Sequence, residues 1–97
     1  MFEIKFTDQA IEDLKLLKKT VRRSIVSELE TNLINEPAVE TRNRKKLRPN
    51  QLAEWELRLG NFRVFYDVDQ EGGLTKIQTV GYKVGSRLII HGKEYKL

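Results

Sequence analysis

Residues 55–68 read WELRLGNFRVFYDV, two alternating runs joined by Gly60-Asn61. That dipeptide tolerates the positive φ of a two-residue turn, so the stretch is expected to form a tight β-hairpin. Successive strand side chains point to opposite faces. Trp55, Leu57, Leu59, Phe62, Val64, Tyr66 and Val68 therefore make one apolar face. Glu56, Arg58, Arg63, Phe65 and Asp67 make the other. The turn sets Arg58 and Arg63 close together, and like charges on neighbouring strands repel. Either the flanking carboxylates or an anionic ligand must compensate.

The rest of the chain supplies a layer for the apolar face. FEIKF (2–6) alternates and reads as a short strand. Thr7 and Asp8 are good helix caps, and Ile11, Leu14 and Leu17 form the stripe of a helix running to about Lys19. Thr20 can cap a second helix with the stripe Val21, Ile25, Leu29 and Leu33, stopped by Pro37. Residues 40–53 hold few apolar side chains besides Leu47 and Leu52 and read as a long loop turning at Pro49-Asn50. After the hairpin come a turn at 70–73, a strand at 74–82 and a tail with one more short strand near Leu88–Ile90. The expected fold is α+β and a single domain over 1–97: an N-terminal strand, an antiparallel two-helix hairpin, and a three- to four-stranded antiparallel meander. The helices cover one sheet face, and the other meets solvent or a partner.

Charge narrows the function. The net charge of +4 is unevenly spread: 1–40 carries −2, 41–66 carries +5 and 67–97 carries +1. Five of the seven residues from 42 to 48 are basic. This local field suits a polyanion, nucleic acid first, although a solvated basic loop gives the same composition. An arginine fork grips two phosphate oxygens, and an exposed Phe65 between the charges would stack on a base. The chain has no cysteine, which excludes a disulfide scaffold and cysteine-ligated zinc. No apolar run reaches membrane-spanning length, and MFEIKF is too short and charged for a signal peptide, so a cytoplasmic location is expected.

Several features occur together: the strand–helix–helix–meander order, KLR at 46–48, WELRL at 55–59, FRVFY at 62–66 and VGYK at 80–83. In these the chain resembles the RelE/ParE superfamily of bacterial toxins from type II toxin–antitoxin systems, in its RelE-like branch. The resemblance implies a ribosome-dependent endoribonuclease that inhibits translation by cutting messenger RNA. The 2′-hydroxyl attacks the adjacent phosphate without metal or cofactor. It also implies a cognate antitoxin protein as partner, alongside the ribosome and messenger RNA. Arg63 matches the family's phosphate-contacting arginine; Arg58 and Lys83 fall at basic positions.

The match departs at Glu56, where RelE-like members place lysine, and at the C-terminal acid. Glu56 is therefore the candidate base and His91 the candidate acid. The plainer alternatives are a carboxylate that neutralises arginine and a histidine at a strand end. Arg42, Arg44, Lys45, Lys46 and Arg48 are assigned to RNA backbone, since phosphate contacts position without specifying. Phe65 and Tyr82 are candidates for base stacking, although Tyr82 could equally pack an edge. Two other functions share the resemblance: a ParE-like gyrase inhibitor, and a catalytically silent relative that mainly binds an antitoxin.

Overall fold

The computed structural model describes residues 1–96. The elements are β1 (Glu3–Phe6), α1 (Asp8–Lys15), α2 (Lys19–Leu33), β2 (Arg44–Lys46), β3 (Trp55–Leu59), β4 (Phe62–Asp69), β5 (Leu74–Val84), β6 (Arg87–Ile90) and β7 (Lys93–Tyr95). The strands form one sheet in the order β2-β3-β4-β5-β6-β7. All of these neighbours are antiparallel, and β1 adds to β5 in parallel.

The sheet is larger than expected because two segments read as loop or tail find partners. Arg44–Lys46 pairs with Leu57–Trp55, which makes the basic stretch an edge strand. The short strand expected near Leu88–Ile90 forms as β6, and the residues after it fold back on it as β7. Helix α1 begins where expected: the Thr7 side chain accepts from Ala10 N at 3.0 Å. It ends at Lys15, short of Lys19, and α2 starts at Lys19 with no side-chain cap from Thr20.

The apolar face behaves as the alternation dictates. Trp55, Leu57, Val64, Tyr66, Ile77 and Val80 pack with Ala10, Leu14, Ile25, Leu29 and Leu33 in the main core. Trp55 and Tyr66 stack with ring centroids 6.2 Å apart. The Tyr66 hydroxyl donates to the Pro37 carbonyl at 2.8 Å, and Thr75 Oγ1 donates to Leu33 O at 3.1 Å. These two bonds anchor the end of α2 and the chain beyond it to the sheet.

Burial pushes the Tyr66 phenol well above its usual 10.0, with Arg44 opposing. A phenol held neutral in the fold but free to ionise in the unfolded chain contributes stability that is complete below pH 10 and is lost as pH rises toward the folded value. Tyr66→Phe is expected to cost about 1 kcal/mol at pH 7. It should also remove part of the stability decline above pH 10, measured by urea unfolding from pH 7 to 11.

Helix α1 closes a gap in the sheet. One edge of β5 is taken by β1 at Leu74–Ile77 and by β6 at Tyr82–Val84. Between them the β5 backbone would be left without partners, which is costly when buried. Thr7 Oγ1 donates to Gln78 O at 2.8 Å, and Asp13 Oδ2 accepts from Val80 N at 2.9 Å. A helix side chain thus does the work of a strand.

Candidate nucleic-acid interface

The face of the sheet turned away from the helices is only partly open. Phe65, Ala53, Leu88 and Ile90 form a second buried cluster there, with Leu47, Leu52 and Tyr95 packed against it. Segment 47–53 is held down by Asn50, whose Oδ1 accepts from Leu52 N and Ala53 N while its Nδ2 donates to the Arg48 and Ala53 carbonyls. Phe65 is fully buried, so it offers no ring face to a base; the stacking role expected of it is overturned by this cover.

The charged row lies at the hairpin end of the same face. Arg58 and Arg63 stand directly opposite each other in register. Arg63 is opposite Gly81 on its other side, which carries no side chain, and Lys83 is the next residue on that face of β5. Arg58 is exposed and Arg63 half-buried. Arg63 Nη1 donates to the Gly60 carbonyl at 2.7 Å and to the Phe62 carbonyl at 2.9 Å, tying the guanidinium to the turn. Its Nε is buried without a partner among the described residues. Burial lowers the Arg63 pKa from its usual value; Glu56 raises it and Arg58 lowers it further. An arginine so placed stays cationic.

Glu56 is 8% exposed, with Oε1 4.0 Å from Arg58 Nε. Its cross-strand neighbours are Phe65 and Lys45. It answers the repulsion of the arginine pair in part, and one carboxylate against two guanidiniums leaves the row net positive. Lys83 N donates to Asn61 O at 2.8 Å, which sets this lysine beside the hairpin turn. A groove of ≈ 810 Å3 between α2 and the hairpin tip is lined by Val21, Ile25, Leu59 and Phe62 and reaches both arginines.

The remaining candidates divide. Arg42, Lys45, Lys46 and Arg48 are exposed along β2 and its flanks. Arg44 is different: it pairs with Leu57 on the helix side, and its Nη1 donates to Asn32 O at 2.6 Å near the end of α2. A guanidinium bound to a helix carbonyl and packed under that helix is structural, so the RNA-backbone role expected of Arg44 is corrected. Tyr82 pairs with Phe62 on the helix side of the sheet and is 38% exposed there, away from the arginine row.

His91 also stands apart. It follows β6 at φ 56, a left-handed conformation uncommon for a residue other than glycine. Its Nδ1 lies 3.0 Å from Asp13 Oδ1 and 2.8 Å from Gln9 Nε2. The Asp13 oxygen is the acceptor, so the imidazole N–H at Nδ1 donates to it, and the Gln9 amide, itself a donor to the same oxygen, only touches the ring. His91 therefore braces α1 and does not join Arg58 and Arg63. The ≈ 810 Å3 groove lacks it; the hollows it lines lie beside α1 and β5.

Asp13 went unnoticed in the sequence. It accepts from Thr79 Oγ1, Val80 N, Gln9 Nε2 and His91 Nδ1 while nearly fully buried. A signal existed: 10, 13 and 14 share the inward face of α1, so one carboxylate sits where an apolar residue is expected.

The family model for the ParE toxin of type II toxin–antitoxin system matches residues 4–83. Among curated proteins, none matches the chain at a significant level. A chain in the toxin–antitoxin complex RelBE2 from Mycobacterium tuberculosis superposes with TM-score 0.70 at 28% identity, over 84% of this chain and 98% of that one. The isolated E. coli RelE toxin gives TM-score 0.70 at 23% identity, over 89% and 88%. The archaeal RelE–RelB complex from Pyrococcus horikoshii gives 0.57 at 23%, over 81% and 91%. At these lower identities the likeness is one of fold.

Proposed function

Because the chain belongs to the ParE toxin family of type II toxin–antitoxin systems, we propose that it acts on messenger RNA at the ribosome as an endoribonuclease and is neutralised by a cognate antitoxin. The observation that carries the reading is the pair Arg58–Arg63, opposed in register at the hairpin end of the sheet. Two guanidiniums set side by side, with Lys83 two residues beyond Gly81 on the neighbouring strand, suit a phosphodiester better than a folded protein surface. The toxin–antitoxin complex RelBE2, which contains a chain 28% identical to this one, supports an antitoxin as partner.

In the proposed reaction the 2′-oxygen forms a bond to phosphorus and the bond to the 5′-oxygen breaks. Arg58 and Arg63 neutralise the charge gathering on the phosphorane oxygens. Glu56, the carboxylate beside them, takes the 2′ proton, and the Lys83 ammonium supplies a proton to the departing 5′-oxygen. Lys45, Lys46, Arg42 and Arg48 hold the flanking backbone.

The test is messenger RNA cleavage on purified ribosomes by the native chain and by Arg63→Ala, Arg58→Ala and Glu56→Gln. Native cutting is expected, with at least a roughly tenfold loss for each arginine variant. Glu56→Gln should lose cutting while binding RNA more tightly, since a negative charge leaves the row. Unchanged cutting in Glu56→Gln returns that residue to a purely neutralising role. The second reading is a gyrase inhibitor, favoured by the ParE description of the matching family. Growth arrest with no cutting and a block of DNA supercoiling would replace the first reading by it.

A further inference from the structure

The groove between α2 and the hairpin tip offers more than a home for two guanidiniums. Thr20, Ser24 and Glu28 stand at intervals of four along α2 and line it together as one polar stripe. Val21 and Ile25 make an apolar stripe beside them, continued on the hairpin by Leu59 and Phe62. Phe62 is half-buried, so part of its ring is open. The cations come from the hairpin alone: Arg58 and Arg63 border the groove by the turn, where Arg63 Nη1 is tied to the Gly60 carbonyl at 2.7 Å. The groove therefore has an apolar floor, a hydrogen-bonding wall and a cationic rim.

Size and chemistry select the occupant. At ≈ 810 Å3 the groove lies within the roughly 300–1,000 Å3 of small-molecule sites. An acidic peptide would meet Glu28, which pairs with no cation among the described residues. A nucleotide suits every part: its base lies on apolar and aromatic side chains, the base edge hydrogen-bonds, and the phosphate takes a guanidinium fork. Phe65 is buried and Tyr82 lies away from the arginine row, so neither offers a ring beside that phosphate. Phe62 does, since it borders the groove and directly precedes Arg63. Thr20 makes no cap bond to α2, which leaves its hydroxyl to a ligand. Glu28 Oε2 accepts from Asn32 Nδ2 at 3.3 Å and keeps further acceptor capacity. An ionised carboxylate only accepts, so it favours the exocyclic amino group of cytosine, adenine or guanine over the carbonyls of uracil.

We propose that this groove holds the nucleobase next to the phosphate bound by Arg58 and Arg63, laid against Phe62 and the aliphatic floor, with Glu28 selecting a base that carries an exocyclic amino group. The inference rests on the RNA reading of the arginine row and adds to it a base site and a preference. The strand of RNA passes around the hairpin tip over Gly60, which carries no side chain and has open space where one would stand.

The experiment measures by calorimetry the affinity of the native chain, Ser24→Trp and Glu28→Gln for pentacytidine RNA, pentauridine RNA and an abasic ribose-phosphate pentamer. Ser24 is exposed, so an indole there fills the groove from the solvent side, with the fold checked by circular dichroism. The native chain is expected to bind pentacytidine at least about fivefold more tightly than the abasic pentamer. The methyl NMR signals of Val21, Ile25 and Leu59 should shift with pentacytidine and not with the abasic pentamer, a readout that needs no variant. Ser24→Trp should lose the difference between these two probes while binding the abasic pentamer as the native chain does. Glu28→Gln should bind pentauridine and pentacytidine equally. Equal native affinity for pentacytidine and the abasic pentamer, or unmoved methyl signals, overturns the base site and leaves the phosphate reading standing. Failure of the native chain to bind any probe overturns both. Antitoxin affinity lost in Ser24→Trp with RNA affinity unchanged gives the groove to the protein partner and overturns the base site. Native binding of pentauridine as tight as that of pentacytidine overturns the selection by Glu28.

Discussion

Asp13→Ala is expected to remove about 3–5 kcal/mol of stability, a large share of the ~5–15 kcal/mol typical of a domain this size. Its carboxylate is the acceptor for Val80 N–H at 2.9 Å and for Thr79 Oγ1, both on a stretch of β5 that no strand pairs on that edge. Alanine leaves those donors buried and unmet, at about 1–3 kcal/mol apiece. It also frees Gln9 and His91, which are exposed enough to turn to water at little cost. Asp13→Asn keeps one acceptor oxygen and should lose only about 1–2 kcal/mol. Urea unfolding of the three proteins decides the matter. A loss under 1 kcal/mol for alanine would mean that water enters the gap and replaces the carboxylate. The consequence extends beyond stability, because His91 binds the turn after β6 to α1. Without Asp13 the Leu88–Ile90 strand should protect Phe65 less well, read as faster amide exchange in β6 and β7 than in β3 and β4.

The same residues show how far the sequence could be read. Alternation and one turn dipeptide are local properties, and they were enough to pair β3 with β4 and to set Arg58 opposite Arg63. The α2 stripe Ile25, Leu29 and Leu33 and the Thr7 cap are equally local. Phe65 required knowledge of what the chain does later. Its face looks open in the hairpin and is closed by Leu88 and Ile90 from one side and Ala53, with Leu47 and Leu52, from the other. The two leucines in an otherwise polar stretch were the only hint. Arg44 depended on register. Its charge reads the same in any frame, but pairing with Leu57 turns it under α2, where it meets the Asn32 carbonyl. His91 depended on a contact 78 residues away in sequence. Such a partner is set by the packing of α1 on the β5 edge, and no spacing rule contains it.

Gly81→Val is expected to cost about 3 kcal/mol, or to prevent folding in a marginal background. The reason is not backbone freedom, since the φ of Gly81 is not in the left-handed region. It is space. A Cβ at this position would lie 2.6 Å from the Ile89 carbonyl oxygen and 2.8 Å from Ile90 Cγ1. Ile90 can rotate, but the carbonyl belongs to β6 and moves only with the strand. Gly81→Ala places the same Cβ without the valine methyls and should cost about 1–2 kcal/mol. Guanidinium melts of both variants test the order. The position also bears on the arginine row. Gly81 is the cross-strand neighbour of Arg63, and the shift of β6 that a side chain there forces would reach the arginine row. Gly81→Ala should therefore weaken RNA binding more than its loss of stability explains. The comparison is made at a temperature where both proteins are fully folded. Equal RNA affinity under those conditions would move the phosphate away from Gly81, toward Arg58 and the groove beneath α2.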